Sequence, residues 1–239
     1  MYKLIDAHMH FDLSASNPAT DLVNQLMAAD ATGCVLILNS TEEVNVYKQN
    51  KALLDNYIIC TSLLLDLQAN GKREVPFTKL HPRLSGLTRD NYPQIMRIIQ
   101  DCEARVITID CFVYGHSLEN DIGIELGIYL AQNLPDRYVV LAHAGGVRLL
   151  ECLMQTKTLQ NIYYDLSLTI NYLWHSSIRQ DMILLLMHHS NRVMFGSDYP
   201  SFSINEAKHC MSQLCEKAKL CNADGKNLFY ENALKVYGL

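Results

Sequence analysis

The sequence predicts an α/β fold, a compact (β/α)8 TIM barrel, regular or distorted, with few insertions. Eight short apolar runs alternate with stretches of helical spacing, and the 239 residues leave about 30 for each strand and helix unit. Strands that alternate with helices are expected to pair in parallel, because each crossover between parallel strands needs a helix. No linker rich in proline, glycine or serine divides the chain, so we expect residues 1–239 to form one domain.

Eight candidate strands are marked by apolar or β-branched residues that are bounded by polar breaks. Continuous apolar strands are typical of a parallel sheet that is covered on both faces. An open, doubly wound sheet is the alternative fold, but no Gly-x-Gly-x-x-Gly loop follows the first run to support it. The candidates are Lys3–Ala7, Cys34–Leu38, Tyr57–Leu65, Phe77–Leu80, Val106–Ile109, Tyr138–Ala142, Ile162–Asp165 and Val193–Phe195.

Helix starts between these strands are marked by capping residues. Asn17 precedes Pro18, and proline is favoured at the first helical position. Ser40 and Ser203 each stand three residues before a glutamate, which is the pattern of a capping box. Apolar residues then recur on one helical face, which predicts helices that pack on the sheet. The clearest sets are Leu22, Leu26 and Ala29, and Ile178, Met182 and Leu185.

Composition and charge favour a small-molecule partner over nucleic acid or a membrane. The net charge is -5 and no basic run interrupts the mixture of charges, so nothing attracts a polyanion. No uncharged apolar run approaches 18 residues, and Asp6 and His8 stand where a signal peptide would need apolar residues. The eight cysteines include no Cys-x-x-Cys pair, which is typical of reduced thiols. We therefore expect a cytoplasmic protein, with homo-oligomer formation left open.

Polar residues at the ends of the predicted strands form the candidate site, because the active site of a parallel barrel lies at the carboxyl ends of its strands. The first strand ends in His8-Met9-His10, and side chains alternate along a strand, so the two imidazoles lie on one side and can chelate a metal ion. Three imidazoles and two carboxylates at the mouth suit zinc or a similar ion with a position open for water. The other strand-end residues are Lys79, His81, Asp110, His143 and Asp198.

Each of these residues also has an ordinary structural interpretation. A His-x-His pair is often a surface or hydrogen-bonding pair, and Lys79 can be a rim lysine whose stem packs on apolar residues. His143 stands before two glycines and can cap a turn, and Asp198 stands two residues before Pro200, a common turn pattern. Their occurrence at successive strand ends of one predicted barrel favours a joint site.

With these motifs in order along the chain, the sequence resembles the amidohydrolase superfamily, specifically the amidohydrolase 2 group that includes aminocarboxymuconate-semialdehyde decarboxylase. The resemblance implies that His8 and His10 bind a divalent metal, that Asp198 is both ligand and proton acceptor, and that His143 faces the reacting group. Zinc is the preferred ion, with manganese or iron as alternatives. The matching stretches are Ile5–His10, Lys79–Pro82, Val140–Gly146, Val193–Pro200 and Glu231–Leu239.

The chain departs from the pattern of the group at the fifth strand. That strand usually ends in a metal-binding histidine, where this chain has Asp110. We expect Asp110 to join the ligand set with His143, and a carboxylate in place of an imidazole favours harder ions. Lys79 stands on the strand where dinuclear members of the superfamily carry a carboxylated lysine that bridges two metals. We interpret Lys79 here as an uncarboxylated substrate contact.

The expected function is that of a metal-dependent hydrolase acting on a small amide, ester or lactone. A metal-activated water would attack the carbonyl, with Asp198 as the base and His143 polarising the carbonyl. Lys79, His81 and Tyr199 would bind the substrate. The alternatives are a non-oxidative decarboxylase of the same family and a metal-free binding protein on the same barrel.

Two other families that open with Asp-x-His-x-His are less favoured. Histidinol-phosphatase-like phosphoesterases need an Asp-x-His near the carboxyl end, whereas Asp198 is followed by Tyr199-Pro200. TatD-like nucleases have a glutamate at the end of the fourth strand, where this chain has Lys79.

Overall fold

Eight parallel strands form one sheet and pair in chain order. The computed structural model describes residues 3–64, 77–102, 104–113, 115 and 118–239, and the strands are counted within these ranges. Leu65, the predicted end of the third strand, lies outside the described residues. The strands are β1 (Ile5–Met9), β2 (Gly33–Leu38), β3 (Ile58–Leu64), β4 (Phe77–Leu80), β5 (Val106–Asp110), β6 (Tyr138–Ala142), β7 (Ile162–Asp165) and β8 (Val193–Met194).

The ring of strands closes through hydrogen bonds between β1 and the segment that follows β8. The Ala7 N–H donates to the Phe195 carbonyl at 2.8 Å, and the His10 N–H donates to the Tyr199 carbonyl at 2.8 Å. In the opposite direction, the Asp198 N–H donates to the His8 carbonyl at 3.0 Å. This closure confirms the predicted barrel and sets Asp198 beside His8.

Two strands extend further toward the mouth than their apolar runs indicated. The first was predicted over Lys3–Ala7, but β1 runs from Ile5 to Met9, and β5 ends at Asp110 rather than Ile109. The prediction stopped early because it followed hydropathy, and polar residues such as His8 belong to the strands. In a closed barrel these polar residues are buried and paired through their backbone all the same.

Helices lie between the strands, and the three capping signals that marked helix starts are confirmed. The side chains of Asn17, Ser40 and Ser203 accept hydrogen bonds from the first-turn N–H groups of Thr20, Glu43 and Glu206. The helices are α1 (Pro18–Ala28), α2 (Thr41–Gln49), α3 (Lys51–Leu54), α4 (Tyr92–Asp101), α5 (Gly123–Asn133), α6 (Leu149–Thr156), α7 (Thr169–Tyr172), α8 (Ile178–His189), α9 (Ile204–Lys217), α10 (Asn222–Lys226) and α11 (Asn232–Tyr237). Within the described ranges, none of them combines the length and the apolar character that a membrane crossing requires.

Alternation along the strands separates the barrel interior from the layer beneath the helices. In β5, Val106 belongs to the apolar cluster inside the barrel, whereas Ile107 and Ile109 pack in the layer between sheet and helices. Tyr237 of α11 joins the interior cluster, and its hydroxyl lies 3.5 Å from the Thr108 Oγ1 atom. Side chains therefore fill the lower barrel, and the next residue on the interior face of β5, Asp110, lies at the mouth.

Candidate active site

The end of β1 presents two imidazoles, those of His8 and His10. His8 Nδ1 lies 3.1 Å from Asp165 Oδ2, and His10 Nδ1 lies 3.1 Å from the carbonyl oxygen of Ile37. A carboxylate only accepts hydrogen bonds, so His8 Nδ1 carries the proton and His8 Nε2 is left as an acceptor. His10 Nδ1 also faces the Asn39 amide nitrogen, a donor, at 3.1 Å, so the Ile37 carbonyl alone does not set the His10 tautomer. Burial, followed by the charge of Lys79, lowers the pKa of both histidines, which keeps them neutral.

Asp198 brings a carboxylate to the same place. Its Oδ1 lies 3.5 Å from His8 Nε2 and 4.0 Å from His10 Nε2. The backbone of Asp198 is left-handed, with a φ of 63°, a conformation that aspartate tolerates better than most residues. Burial acts to raise the pKa of Asp198, but the charge of His143 and the other neighbouring groups lowers it below its usual value. His8, His10 and Asp198 thus offer three ligand atoms within 4.8 Å of one another.

Asp165, at the end of β7, holds the inner side of the site together. Its Oδ2 accepts the hydrogen bond from His8, and its Oδ1 accepts the N–H groups of His143 at 3.2 Å and Ser167 at 3.1 Å. Burial acts to raise the pKa of Asp165, but the interactions with His8, His143 and Ser167 together bring the pKa down to about 2. The sequence analysis did not include Asp165 in the candidate site. Asp165 ends a correctly predicted strand, so the expectation that polar residues at strand ends form the site applied to it as well.

His143, after β6, forms a buried ion pair with Asp110. Its Nε2 lies 3.1 Å from Asp110 Oδ2, and its Nδ1 lies 2.9 Å from the carbonyl oxygen of Ser167. Both partners accept, so both ring nitrogens carry protons and the ring is an imidazolium. Burial alone would lower the pKa of His143, but the charge of Asp110 raises it to about 9. Asp110 correspondingly has a pKa far below its usual value.

Lys79, from β4, lies at the centre of these groups and is only 2% exposed. Its Nζ is 3.0 Å from His8 Nε2 and 4.0 Å from Asp110 Oδ2. His81 lies beside it, with Nε2 3.4 Å from Asp110 Oδ2, and burial lowers the pKa of His81 to about 4. The candidate site therefore contains a buried ammonium group that donates to the same His8 atom that faces Asp198.

Seven of the eight residues predicted for the site come together through these distances, and Tyr199 is the exception. The Tyr199 side chain is buried, and its hydroxyl donates a hydrogen bond to the Asp21 carboxylate on α1. Its backbone carbonyl still takes part in the barrel closure by accepting the His10 N–H. The role of Tyr199 as a substrate contact stays a prediction.

Asp6 connects the ends of β1 and β8 from within. One carboxylate oxygen accepts the N–H groups of His8 at 3.1 Å and Ser197 at 3.0 Å. The other oxygen has no hydrogen-bond partner within the described part of the chain, and burial raises the pKa of Asp6 to about 7. Asp6 therefore fixes the backbone at His8 and at Ser197, which precedes Asp198. The Asp-x-His-x-His motif did not indicate this role by itself.

A small, partly open cleft lies beside Asp110. Arg83, two residues after His81, contributes a cationic side chain to its wall, and apolar residues contribute much of the remainder. Asp121, also on the wall, is paired with Arg148 at 2.8 Å. The lining includes Pro82, Arg83, Cys111, Phe112, Val113 and Asn120.

Comparisons with known proteins agree with this architecture. The amidohydrolase family model (Amidohydro_2) matches residues 67–239. A search of curated proteins gives no significant match.

Solved structures resemble the chain over nearly its whole length. An uncharacterised TIM-barrel protein from Bordetella bronchiseptica has 15% identity and a TM-score of 0.73, covering 99% of this chain and 98% of that chain. A dihydroorotase from Campylobacter jejuni has 16% identity and a TM-score of 0.69, covering 100% and 84% of the two chains. A protein described as amidohydrolase II has 14% identity and a TM-score of 0.63, covering 99% and 100%. At these identities the resemblance shows the fold, and it confirms the TIM-barrel prediction.

Proposed function

The chain belongs to the amidohydrolase family, and on that premise we propose that it is a metal-dependent hydrolase of small amides, esters or lactones. The observation that carries the proposal is the ligand group His8, His10 and Asp198, in which two imidazole lone pairs and a carboxylate lie within 4.8 Å of one another. The hydrogen bond from His8 Nδ1 to Asp165 supports it, because such a partner holds a metal-binding histidine in the required tautomer.

The chemistry of this donor set fits a catalytic divalent ion. Two histidines and one carboxylate, with a further position left for water, are typical of catalytic zinc, and manganese or iron accept the same ligands. When bound, the ion supplies a Lewis acid that polarises a carbonyl and lowers the pKa of a water molecule. Asp110 and His143 stay proposed as further ligands, which requires His143 to lose the Nε2 proton that it donates to Asp110, 3.1 Å away, because an imidazolium has no lone pair for a metal ion.

Asp198, His143 and Asp110 have separate proposed roles in the reaction. Asp198 is held as a carboxylate by the charge of His143 and is therefore competent to accept a proton from the attacking water. His143 is an imidazolium whose two N–H groups already donate to Asp110 and Ser167, so it would stabilise the oxyanion that develops on the substrate through its positive charge. Asp110 keeps that imidazolium charged and oriented. A neutral His143 would stabilise the oxyanion less, so the ion pair contributes to the reaction through the charge of the ring.

The cleft beside Asp110 is proposed to receive the substrate. Its partly apolar wall suits a small organic molecule, and Arg83 supplies a cationic group for a carboxylate of that molecule. Lys79, His81 and Tyr199 are the proposed contacts on the inner side. A non-oxidative decarboxylase is the second candidate, favoured by the same cationic groups, because they would hold the carboxylate that is lost.

The proposal is tested by metal analysis combined with hydrolysis assays. Protein stripped with a chelator is reloaded with Zn²⁺, Mn²⁺ or Fe²⁺ and assayed on a panel of lactones, esters and amides, with carbon dioxide release measured in parallel. His10→Ala is expected to lose the bound metal and the hydrolysis, whereas His209→Ala, an exposed residue on α9, retains both. Full metal occupancy in His10→Ala would contradict the ligand group. A wild-type protein that takes up no metal would favour the metal-free binding protein.

A further inference from the structure

The Lys79 ammonium and a metal ion require the same lone pair. Lys79 Nζ is 3.0 Å from His8 Nε2, the atom that the ligand group offers to an ion. The His8 Nδ1 position is already bonded to Asp165, so the ring has one lone pair and one acceptor position. An ammonium hydrogen and a metal ion cannot share that position.

Carboxylates lie around the Lys79 side chain. Asp110 Oδ2 is 4.0 Å from Lys79 Nζ, the carboxylates of Asp165 and Asp198 lie 3.1 and 3.5 Å from the His8 ring that Lys79 contacts, and His143 is the second cation, 3.1 Å from Asp110. The site thus has an excess of negative charge, and a cation at its centre is favourable. Lys79 provides one from within the chain.

We propose that Lys79 is a built-in competitor for the metal site, whose ammonium group occupies the His8 lone pair in the metal-free protein and is displaced when the ion binds. This inference rests on the proposed function and adds a consequence to it. Displacement removes the hydrogen-bond acceptor of a buried ammonium, which then needs another partner. An anionic group of the substrate is such a partner, so metal binding prepares Lys79 for the substrate contact.

Removing the ammonium is therefore expected to strengthen metal binding. In Lys79→Met the metal-free site loses a charge-assisted hydrogen bond, leaves His8 Nε2 without a donor, and no longer repels an incoming cation. The loss of one such competing bond corresponds to roughly ten- to hundredfold tighter binding. A lysine that served as a metal ligand would give the opposite sign, because its removal would weaken binding.

The test is a titration of Zn²⁺ and Mn²⁺ into chelator-treated protein, with affinity measured by competition against a fluorescent chelator. The variants are Lys79→Met and Lys79→Gln, with Lys48→Met as the control, since Lys48 is exposed on α2 and its removal changes the net charge equally. We expect the metal affinity to be highest in Lys79→Met and intermediate between Lys79→Met and the wild type in Lys79→Gln. In the control the metal affinity should change by less than about twofold. Circular dichroism verifies folding, and Lys79→Gln decides the question if Lys79→Met does not fold.

The outcomes separate this inference from the proposed function. Wild-type protein that binds metal with the same affinity as both Lys79 variants, or more tightly than they do, overturns the inference and leaves the proposed hydrolase standing. Metal binding that is detectable only after Lys79 is replaced supports the competition and contradicts the proposed hydrolase, because the wild-type protein then holds no metal. No binding in any variant overturns both.

Discussion

Replacing Asp165 with asparagine changes which nitrogen of His8 carries the proton. Asp165 Oδ1 accepts two backbone N–H groups, from His143 and Ser167, so the amide oxygen of the substituted side chain must take that position. The amide nitrogen then faces His8 Nδ1, 3.1 Å away, and donates to it. His8 is left with its proton on Nε2, where the ligand group needs a lone pair.

Two measurable losses follow from the altered tautomer. Changes to partners that orient a metal ligand typically cost about 10- to 100-fold in metal affinity, and we expect Asp165→Asn to fall in this range. In the metal-free protein the new Nε2–H faces Lys79 Nζ at 3.0 Å, so two buried donors oppose each other. A buried donor without an acceptor costs about 1–3 kcal/mol, and the free energy of unfolding should fall by that amount.

Metal titration, urea denaturation and long-range ¹H–¹⁵N correlation spectra of the histidine rings measure these effects. Asp136→Asn is the matched control, because Asp136 lies exposed in the loop before β6. The spectra report the tautomer directly, so they test the reasoning without metal. An Asp165→Asn protein that keeps the His8 proton on Nδ1 and binds metal like the wild type would refute it.

Three further predictions concern the base, the ion pair and the packing of α5. Asparagine, like aspartate, tolerates a φ of 63°, but it cannot accept a proton. In Asp198→Asn we therefore expect kcat to fall by about 10²- to 10⁴-fold, while circular dichroism shows an unchanged fold. A kcat near the wild-type value would exclude Asp198 as the base. The pKa of His143 is about 9 in the folded protein and near 6.5 in the unfolded chain. The stabilisation of the folded state by protonated His143 is therefore complete below pH 6.5 and is lost as the pH rises through 9. In urea denaturation of the metal-free protein, the free energy of unfolding should decline by about 3 kcal/mol between pH 6.5 and pH 9. In His143→Gln this pH dependence should be absent. A Cβ on Gly127 of α5 would overlap Leu141 Cδ2. Gly127→Ala should therefore destabilise the fold by about 1–2 kcal/mol, although alanine has the better helix propensity. A raised melting temperature would contradict this packing argument.

The order of elements and most residues of the candidate site could be predicted from the sequence alone. Apolar runs, capping residues and polar strand ends are local features, and the barrel rule places strand ends at one mouth without further information. That reasoning found His8, His10 and Asp198 and placed each at the end of β1 or after β8. It placed the ends of β1 and β5 too early because hydropathy does not recognise a buried, paired polar residue as part of a strand.

The state of each site residue was decided by the tertiary structure. His8 and Asp165 are 157 residues apart in the chain, and only the closure and register of the barrel bring their side chains into a hydrogen bond. That contact sets the tautomer of His8, just as Asp110 sets the charge of His143, and Lys79 meets His8 for the same reason. A protonation state depends on the burial and the partners of a group, and neither is encoded in the residues next to it in the sequence.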